Sequence, residues 1–269
     1  MPTSLRLLLV IIVATLGGVM NSIAGGGTLL TFPALIGLGI APIVANATST
    51  VALWPASLSS IFGYREELKG ALSWARAFAL PSLLGGAVGA LLLLHTSPDR
   101  FAALMPWLVL GATALFIVQE PVMRAIRRRQ SDGRHYTGEG ADSARTASLP
   151  SLSILFCQFL VSIYGGYFGA GVGILMLAAL GFTGLTNIHR MNGLKNWGGL
   201  CMNAIAALLF AFSRLVSWPV ALSMAVGALI GGYVGSRVAQ RVGQRVVRLA
   251  IIIIGLGSGL VMLVSQLRR

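Results

Sequence analysis

Charge is what this chain has least of. Only 10% of its 269 residues are Asp, Glu, Lys or Arg, where a soluble domain carries about a quarter. Acid is scarcer still: the seven carboxylates are Glu66, Glu67, Asp99, Glu120, Asp132, Glu139 and Asp142, and each falls in a loop or at the end of an apolar run. So little polar side chain cannot cover a water-facing surface, which excludes a soluble globular protein. Cysteine is nearly absent. Cys157 and Cys201 lie in apolar stretches without metal-ligand spacing or a disulfide framework, and read as small buried hydrophobes. No Gly-x-x-x-x-Gly-Lys-Ser/Thr loop occurs, so no ATP site is visible.

Apolar residues make up 56% of the chain, with a mean hydropathy of +0.83. They come as continuous runs rather than the in/out alternation of a transmembrane β-barrel. The fold class expected is therefore all-α, a polytopic helical membrane protein. The formal net charge of +13 would suggest nucleic acid in a soluble protein. In a membrane protein it reads as the Lys and Arg of cytoplasmic loops, so no nucleic-acid partner is expected. The first run, from Leu5 to Leu16, contains Arg6 and is followed by no small-residue cleavage site. It reads as a retained first helix rather than a signal peptide.

The apolar stretches fall near 5–22, 28–40, 43–63, 72–94, 101–119, 151–167, 172–183, 188–212, 216–234 and 246–266. Eight are long enough to cross a bilayer. The stretches 28–40 and 172–183 are not: as helix they reach about 20 Å against a hydrocarbon core of about 30 Å. Each follows a glycine cluster, Gly25-Gly26-Gly27 in one case and Gly169-Ala170-Gly171-Val172-Gly173 in the other. The order long, short, long, long, long thus occurs twice. A shift of 146 residues lays Gly25 on Gly171, Gly27 on Gly173 and Asn46 on Asn192. This reads as an internal duplication: 1–119 a first five-segment repeat, 120–150 a basic cytoplasmic connector, 151–269 a second repeat. An odd number of passes inverts the second repeat relative to the first, and interrupted helices at matching places in inverted repeats mark a transporter's binding site.

Charge supports ten passes. The loops near 64–71, 120–150, 184–190 and 235–245 then share one side, with Arg65, Lys69, Arg124, Arg127, Arg128, Arg129, Arg134, Arg145, Arg237, Arg241, Arg245 and Arg248. Arg6, Arg100, Arg214, Arg268 and Arg269 lie on the other. The positive-inside rule then puts both termini outside.

The membrane interior holds no carboxylate for a sodium ion or a proton relay, but it does hold a cation. Lys195 opens a run that stays apolar through Phe210, with His189 and Arg190 shortly before it. An ionisable residue within a span is a functional candidate, although Lys195 lies near enough to the span's end to snorkel. Glycine permits unwound backbone, and a half-helix restarting after it offers free N–H groups and a positive dipole end to an anion. The substrate site expected comprises Gly25, Gly26, Gly27, Asn46, Thr48, Ser49, Gly169, Gly171, Gly173, Asn192, Lys195 and Asn196. The neutral side chains supply hydrogen bonds and Lys195 the charge. Gly85, Gly86, Gly89, Gly231, Gly232 and Gly235 read instead as helix-packing positions. Coupling to protons would run through His189; a uniporter is the other reading. No metal and no cofactor are expected.

Two stretches carry a family resemblance as an ordered pair. Asn21-Ser-Ile-Ala-Gly-Gly-Gly-Thr28 leads through Pro33 to Ala45-Asn-Ala-Thr-Ser-Thr50, and Gly165-Gly-Tyr-Phe-Gly-Ala-Gly-Val-Gly173 leads to Asn192-Gly-Leu-Lys-Asn196. Together they resemble the TauE/SafE family of sulfite and organosulfonate transporters, over nearly the whole chain. The resemblance implies a multi-pass carrier of the bacterial inner membrane, not an enzyme, for small sulfur-containing anions such as sulfite or sulfonates, with export the expected direction and uptake, which is also ascribed to some members, left open. One departure is that Leu194-Lys195 stands where the first half has Thr48-Ser49, which sets the two halves apart. The partners expected are the small anionic substrate and the lipid bilayer, with a homo-oligomer left open. Rival readings are a carrier of another small anion such as a carboxylate, an assembly protein acting through 120–150, and a membrane enzyme using Cys157 or Cys201.

Overall fold

The computed structural model describes residues 3–23, 25–132, 146, 148–183, 185, 187–238 and 244–267. Every regular element among them is an α-helix: α1 (Thr3–Ile23), α2 (Thr28–Gly37), α3 (Pro42–Gly63), α4 (Arg65–Lys69), α5 (Leu72–Leu94), α6 (Pro98–Asp132), α7 (Leu152–Tyr167), α8 (Val172–Gly181), α9 (Ile188–Ala211), α10 (Trp218–Val238) and α11 (Gln244–Leu267). Leu8, Phe62, Leu80, Trp107, Leu152 and Phe212 are among many large apolar side chains exposed on the outside. Lipid, not water, is the solvent that tolerates such a surface.

The helix ends follow local chemistry. Pro42 opens α3, where its missing N–H costs nothing. Asn187 caps α9, its side chain accepting from the N–H groups of His189 and Arg190 at 2.9 and 3.1 Å. Four helices are both long and apolar enough to cross a membrane, over Leu5–Ser22, Leu72–Leu94, Pro98–Val118 and Trp218–Gly235. α3 and α9, with 22 and 24 residues, have the length. Their hydropathy is lowered by Asn46, Thr48, Ser49 and Thr50 in one, and by His189, Arg190, Asn192, Lys195 and Asn196 in the other. The polar side chains of these two long helices include those of the expected site. α2 and α8 are short as expected, and both have 10 residues, about 15 Å of helix.

Contacts between the two halves come in exchanged pairs. α1 lies along α10 as α5 lies along α7, and α3 packs on α10 as α9 packs on α5. α2 meets α11 as α8 meets α6, while α3 meets α9 and α6 meets α11. The closest crossings rest on glycine. A Cβ on Gly85, Gly86 or Gly89 would strike the backbone of Phe159, Met202 or Ile163, and one on Gly231 or Gly235 the backbone of Thr15 or Val19. Gly232 meets Ala56 and Ser59 in the same way. These are the positions expected from sequence to serve packing. The core is aromatic at its centre, with Phe32, Phe101, Phe116, Phe168 and Phe210 fully buried.

The connector differs from a plain loop at both ends. α6 continues as helix past residue 119 to Asp132. At the other end Thr146 and Ser148 are strapped to the corner between α4 and α5. Thr146 Oγ1 donates to the Gly70 carbonyl at 3.0 Å, Trp74 Nε1 donates to the Ser148 carbonyl at 2.8 Å, and Ser73 Oγ donates to the Thr146 carbonyl. Arg190, at the start of α9, donates to Thr146 Oγ1 at 3.3 Å. Residues 133–145 and 239–243, with Arg134, Arg145 and Arg241 of the charges used to count passes, lie outside the described residues.

Candidate functional site

The site is built where α1 gives way to α2 and α7 to α8. α1 ends at Ile23, and Gly25, at φ +75°, turns its N–H back to the carbonyls of Met20 and Asn21, both at 3.1 Å. α7 ends at Tyr167, and Gly169, at φ +79°, turns its N–H back to the Tyr164 carbonyl at 3.2 Å. Both are left-handed helix terminations, for which glycine is the usual residue. Gly25 and Gly169 are therefore equivalent by conformation. The first residues of the two short helices, Thr28 and Val172, stand 144 residues apart, two fewer than the 146-residue shift that pairs Asn46 with Asn192.

The two breaks touch. Gly173 N–H donates to the Gly25 carbonyl at 3.3 Å, and a Cβ on Gly25 would lie 2.5 Å from Gly173 Cα. Phe32 of α2 and Phe168, just past α7, meet edge to face with centroids 5.4 Å apart. Tyr164 braces the second break by donating its hydroxyl to the Ala170 carbonyl at 2.6 Å.

A helix that stops inside the molecule leaves carbonyls without intrahelical partners, and each break is answered by a polar side chain from the opposite half. Asn46 Nδ2, on α3, donates to the Tyr167 carbonyl at the end of α7 at 2.9 Å. On α9, Lys195 Nζ donates to the Ser22 carbonyl at the end of α1 at 3.2 Å, and Asn196 Nδ2 reaches the same oxygen at 3.5 Å. A helix C-terminus carries partial negative charge, which suits the Lys195 ammonium. Lys195 is 2% exposed and Asn46 fully buried.

Other expected residues take different places. Thr48 is engaged by the fold, its Oγ1 accepting from Ser217 N–H at 3.0 Å just before α10. Ser49 is fully buried. Its Oγ has no hydrogen-bond partner among the described residues, and the same holds for Ser22 Oγ, Asn46 Oδ1 and Asn192 Oδ1. Gly26 lies under the Phe116 ring and Gly27 against the Gly17 carbonyl, so both are close-packing positions. Gly171, at φ +74°, caps α8, and a Cβ added to it would lie 3.4 Å from the Ala112 carbonyl oxygen of α6. His189 is exposed in the first turn of α9, six residues and about 9 Å of helix before Lys195.

The amides that begin the short helices are engaged in this conformation. Val172, Gly173 and Ile174 donate to the carbonyls of Gly169, Gly25 and Gly171 at 3.4, 3.3 and 3.0 Å. Leu29, Leu30 and Thr31 donate to Gly26 or Gly27 at 2.9 to 3.2 Å. Lys195 is the buried cation at these breaks. Sequence reasoning missed Ser22 and Tyr167, because they act through backbone carbonyls. The available signal was position: each lies at a helix end facing a glycine break. Among the described residues no group of three or more His, Cys, Asp or Glu is placed to hold a metal, and Cys157 and Cys201 are free thiols.

A family model described as "Sulfite exporter TauE/SafE" matches residues 10–262. Among curated proteins, the "Probable membrane transporter protein YfcA" of Escherichia coli K12 is 28% identical over 222 residues, 80% of this chain and 74% of that protein. The "Probable membrane transporter protein ORF9" of a Sinorhizobium species is 28% identical over 221 residues, 80% of this chain and 76% of its own. A "Probable membrane transporter protein" of Haemophilus influenzae is 26% identical over 213 residues, 77% and 75% of the two chains. No solved structure matches.

Proposed function

The chain belongs to the sulfite exporter TauE/SafE family and is a multi-pass membrane transporter; from that premise we propose that it is a secondary carrier exporting small sulfur-containing anions, sulfite or sulfonates, across the bacterial inner membrane. The observation that carries the anionic substrate is Lys195. A buried ammonium costs several kcal/mol to desolvate; this one donates to the neutral Ser22 carbonyl, in a chain whose carboxylates lie in loops or at span ends. An anion arriving beside it recovers that cost through charge and hydrogen bonds.

Alternating access between two inverted halves, 1–119 and 151–269, is supported by the exchanged pairing of helices and by the matching left-handed glycines at the two breaks. Parting the Gly173–Gly25 contact frees the amide at the start of α8 for an anion. Closing it again squeezes the anion out. Asn46, Asn192 and Asn196 then stand beside the anion's path.

The test is efflux from proteoliposomes loaded in parallel with sulfite, sulfoacetate, ethanesulfonate and lactate. The expected result is protein-dependent release of the sulfur anions, each slowed by an excess of another. Release of lactate alone would move the substrate class to carboxylates, and no release of any would contradict the carrier reading.

A further inference from the structure

The hydrogen-bond inventory of the breaks has an excess that an anion cannot use. Asn46 Oδ1 is an acceptor, and its orientation is fixed because the same amide spends Nδ2 on the Tyr167 carbonyl. It lies with Ser49 Oγ on one face of α3, at the i, i+3 spacing that brings side chains together. Both residues are fully buried, and neither oxygen has a hydrogen-bond partner among the described residues. Buried polar atoms are nearly always satisfied in native proteins. Such an acceptor takes a hydrogen-bond donor or a cation, and beside helix-terminal carbonyls, which add partial negative charge, a cation fits.

The other break shows what the fold places at such a position. At the end of α1 the Ser22 carbonyl receives the Lys195 ammonium. In the 146-residue register Lys195 corresponds to Ser49. One half therefore carries a covalently tethered cation at its partner's helix terminus, and the other carries a hydroxyl and an amide oxygen.

We infer that the end of α7 binds a dehydrated monovalent cation of sodium type, held by Asn46 Oδ1, Ser49 Oγ and the carbonyls of the last α7 turn, as the untethered counterpart of the Lys195 ammonium. All these donors are hard, neutral oxygens, which suit an alkali cation better than a soft metal. No carboxylate lies in α3 or α7, which argues against a divalent ion. Neither Asn nor Ser has a base for a proton at physiological pH, so the species is an ion rather than H⁺. Helix C-terminal ends and unwound carbonyls hold coupling sodium ions in other carriers with broken helices. The cation site stands on this geometry; its role as coupling ion rests on the carrier reading of the preceding subsection.

The experiment uses the full chain, purified in detergent, with sodium chloride replaced stepwise by choline chloride at constant ionic strength. The thermal midpoint is followed at each step, and retention of radioactive sodium is measured on the wild type. A saturable rise with sodium that choline does not reproduce is expected, together with bound radioactive sodium. Ser49→Ala should move the half-effect to about tenfold higher sodium, the scale of one strong contact. Sodium and choline acting alike, or no retained radioactive sodium, overturns the inference without reliance on any variant. An unchanged titration in Ser49→Ala overturns the assignment to these residues.

A parallel arm in choline compares ethanesulfonate, 2-hydroxyethanesulfonate and taurine. If Ser49→Ala loses only the response to the hydroxyl- and ammonium-bearing anions, the acceptors serve the substrate and the cation site is overturned. An anion response without a sodium response leaves the carrier reading standing alone. A sodium response without any anion response leaves the cation site and removes the anion reading.

Discussion

The two breaks share a shape and differ in charge. Each ends a helix on a left-handed glycine, Gly25 or Gly169, and each restarts as a helix of 10 residues. Yet the Ser22 carbonyl meets an ammonium and an amide, whereas the Tyr167 carbonyl meets the amide of Asn46. The second break also contains another left-handed glycine, Gly171, where the first has Gly27 in right-handed geometry. Backbone conformation is thus what the two halves hold in common, and side-chain charge is what distinguishes them. In the proposed carrier, the two halves would share one backbone geometry while the Lys195 charge stays in one of them.

The sharpest way to break this comparison is to add one methyl group at each break. Gly25→Ala combines a left-handed backbone, costing about 1–2 kcal/mol, with a collision against Gly173 Cα that adds about 1–3 kcal/mol of overpacking. Gly171→Ala has the same backbone cost, but its nearest neighbour is the Ala112 carbonyl at 3.4 Å, so the methyl fits. Thermal unfolding in detergent should show Gly25→Ala as the larger loss by about 1–3 kcal/mol. Equal losses would mean that the breaks do not touch.

A smaller effect separates the two carbonyl ends. Asn46→Ala removes the buried side-chain donor of the Tyr167 carbonyl, and should cost about 1–3 kcal/mol in the same assay. Asn196→Ala removes a 3.5 Å contact from an oxygen that also receives Lys195, and should cost less than about 1 kcal/mol. The reverse order would exchange the roles assigned to the two ends. The smallest effect is expected at His189, exposed and about two turns of helix from Lys195. His189→Gln should change stability by less than about 0.5 kcal/mol and leave the pH profile of efflux unchanged. Loss of that pH dependence would restore a proton relay through His189.

Much of this was legible in the sequence, for reasons that can be named. The apolar runs, the two short segments and their glycines were readable because glycine marks a left-handed helix end and length decides what can span a bilayer. Lys195 was readable because a cation is rare in an apolar run. What was not readable was pairing across the halves. Nothing in the local sequence says that Asn46 reaches Tyr167 or that Lys195 reaches Ser22, since those contacts join residues 121 and 173 positions apart and end on backbone oxygens. The use of Thr48 to hold the start of α10 was hidden for the same reason. The two-residue difference in register between the breaks and the helices that follow them was also hidden, because the glycine clusters align by residue type in more than one way.

In the proposed carrier Lys195 supplies the charge for one anion site where the breaks meet. Its most direct test is the thermal midpoint of the purified protein with millimolar sulfite, sulfoacetate, sulfate, lactate or chloride, for the wild type and Lys195→Gln side by side. A ligand at 100 times its dissociation constant stabilises by about 2.7 kcal/mol, a readable shift. A shift with a sulfur anion is expected in the wild type and none in Lys195→Gln, with the variant folded. The same shift in both proteins would contradict it.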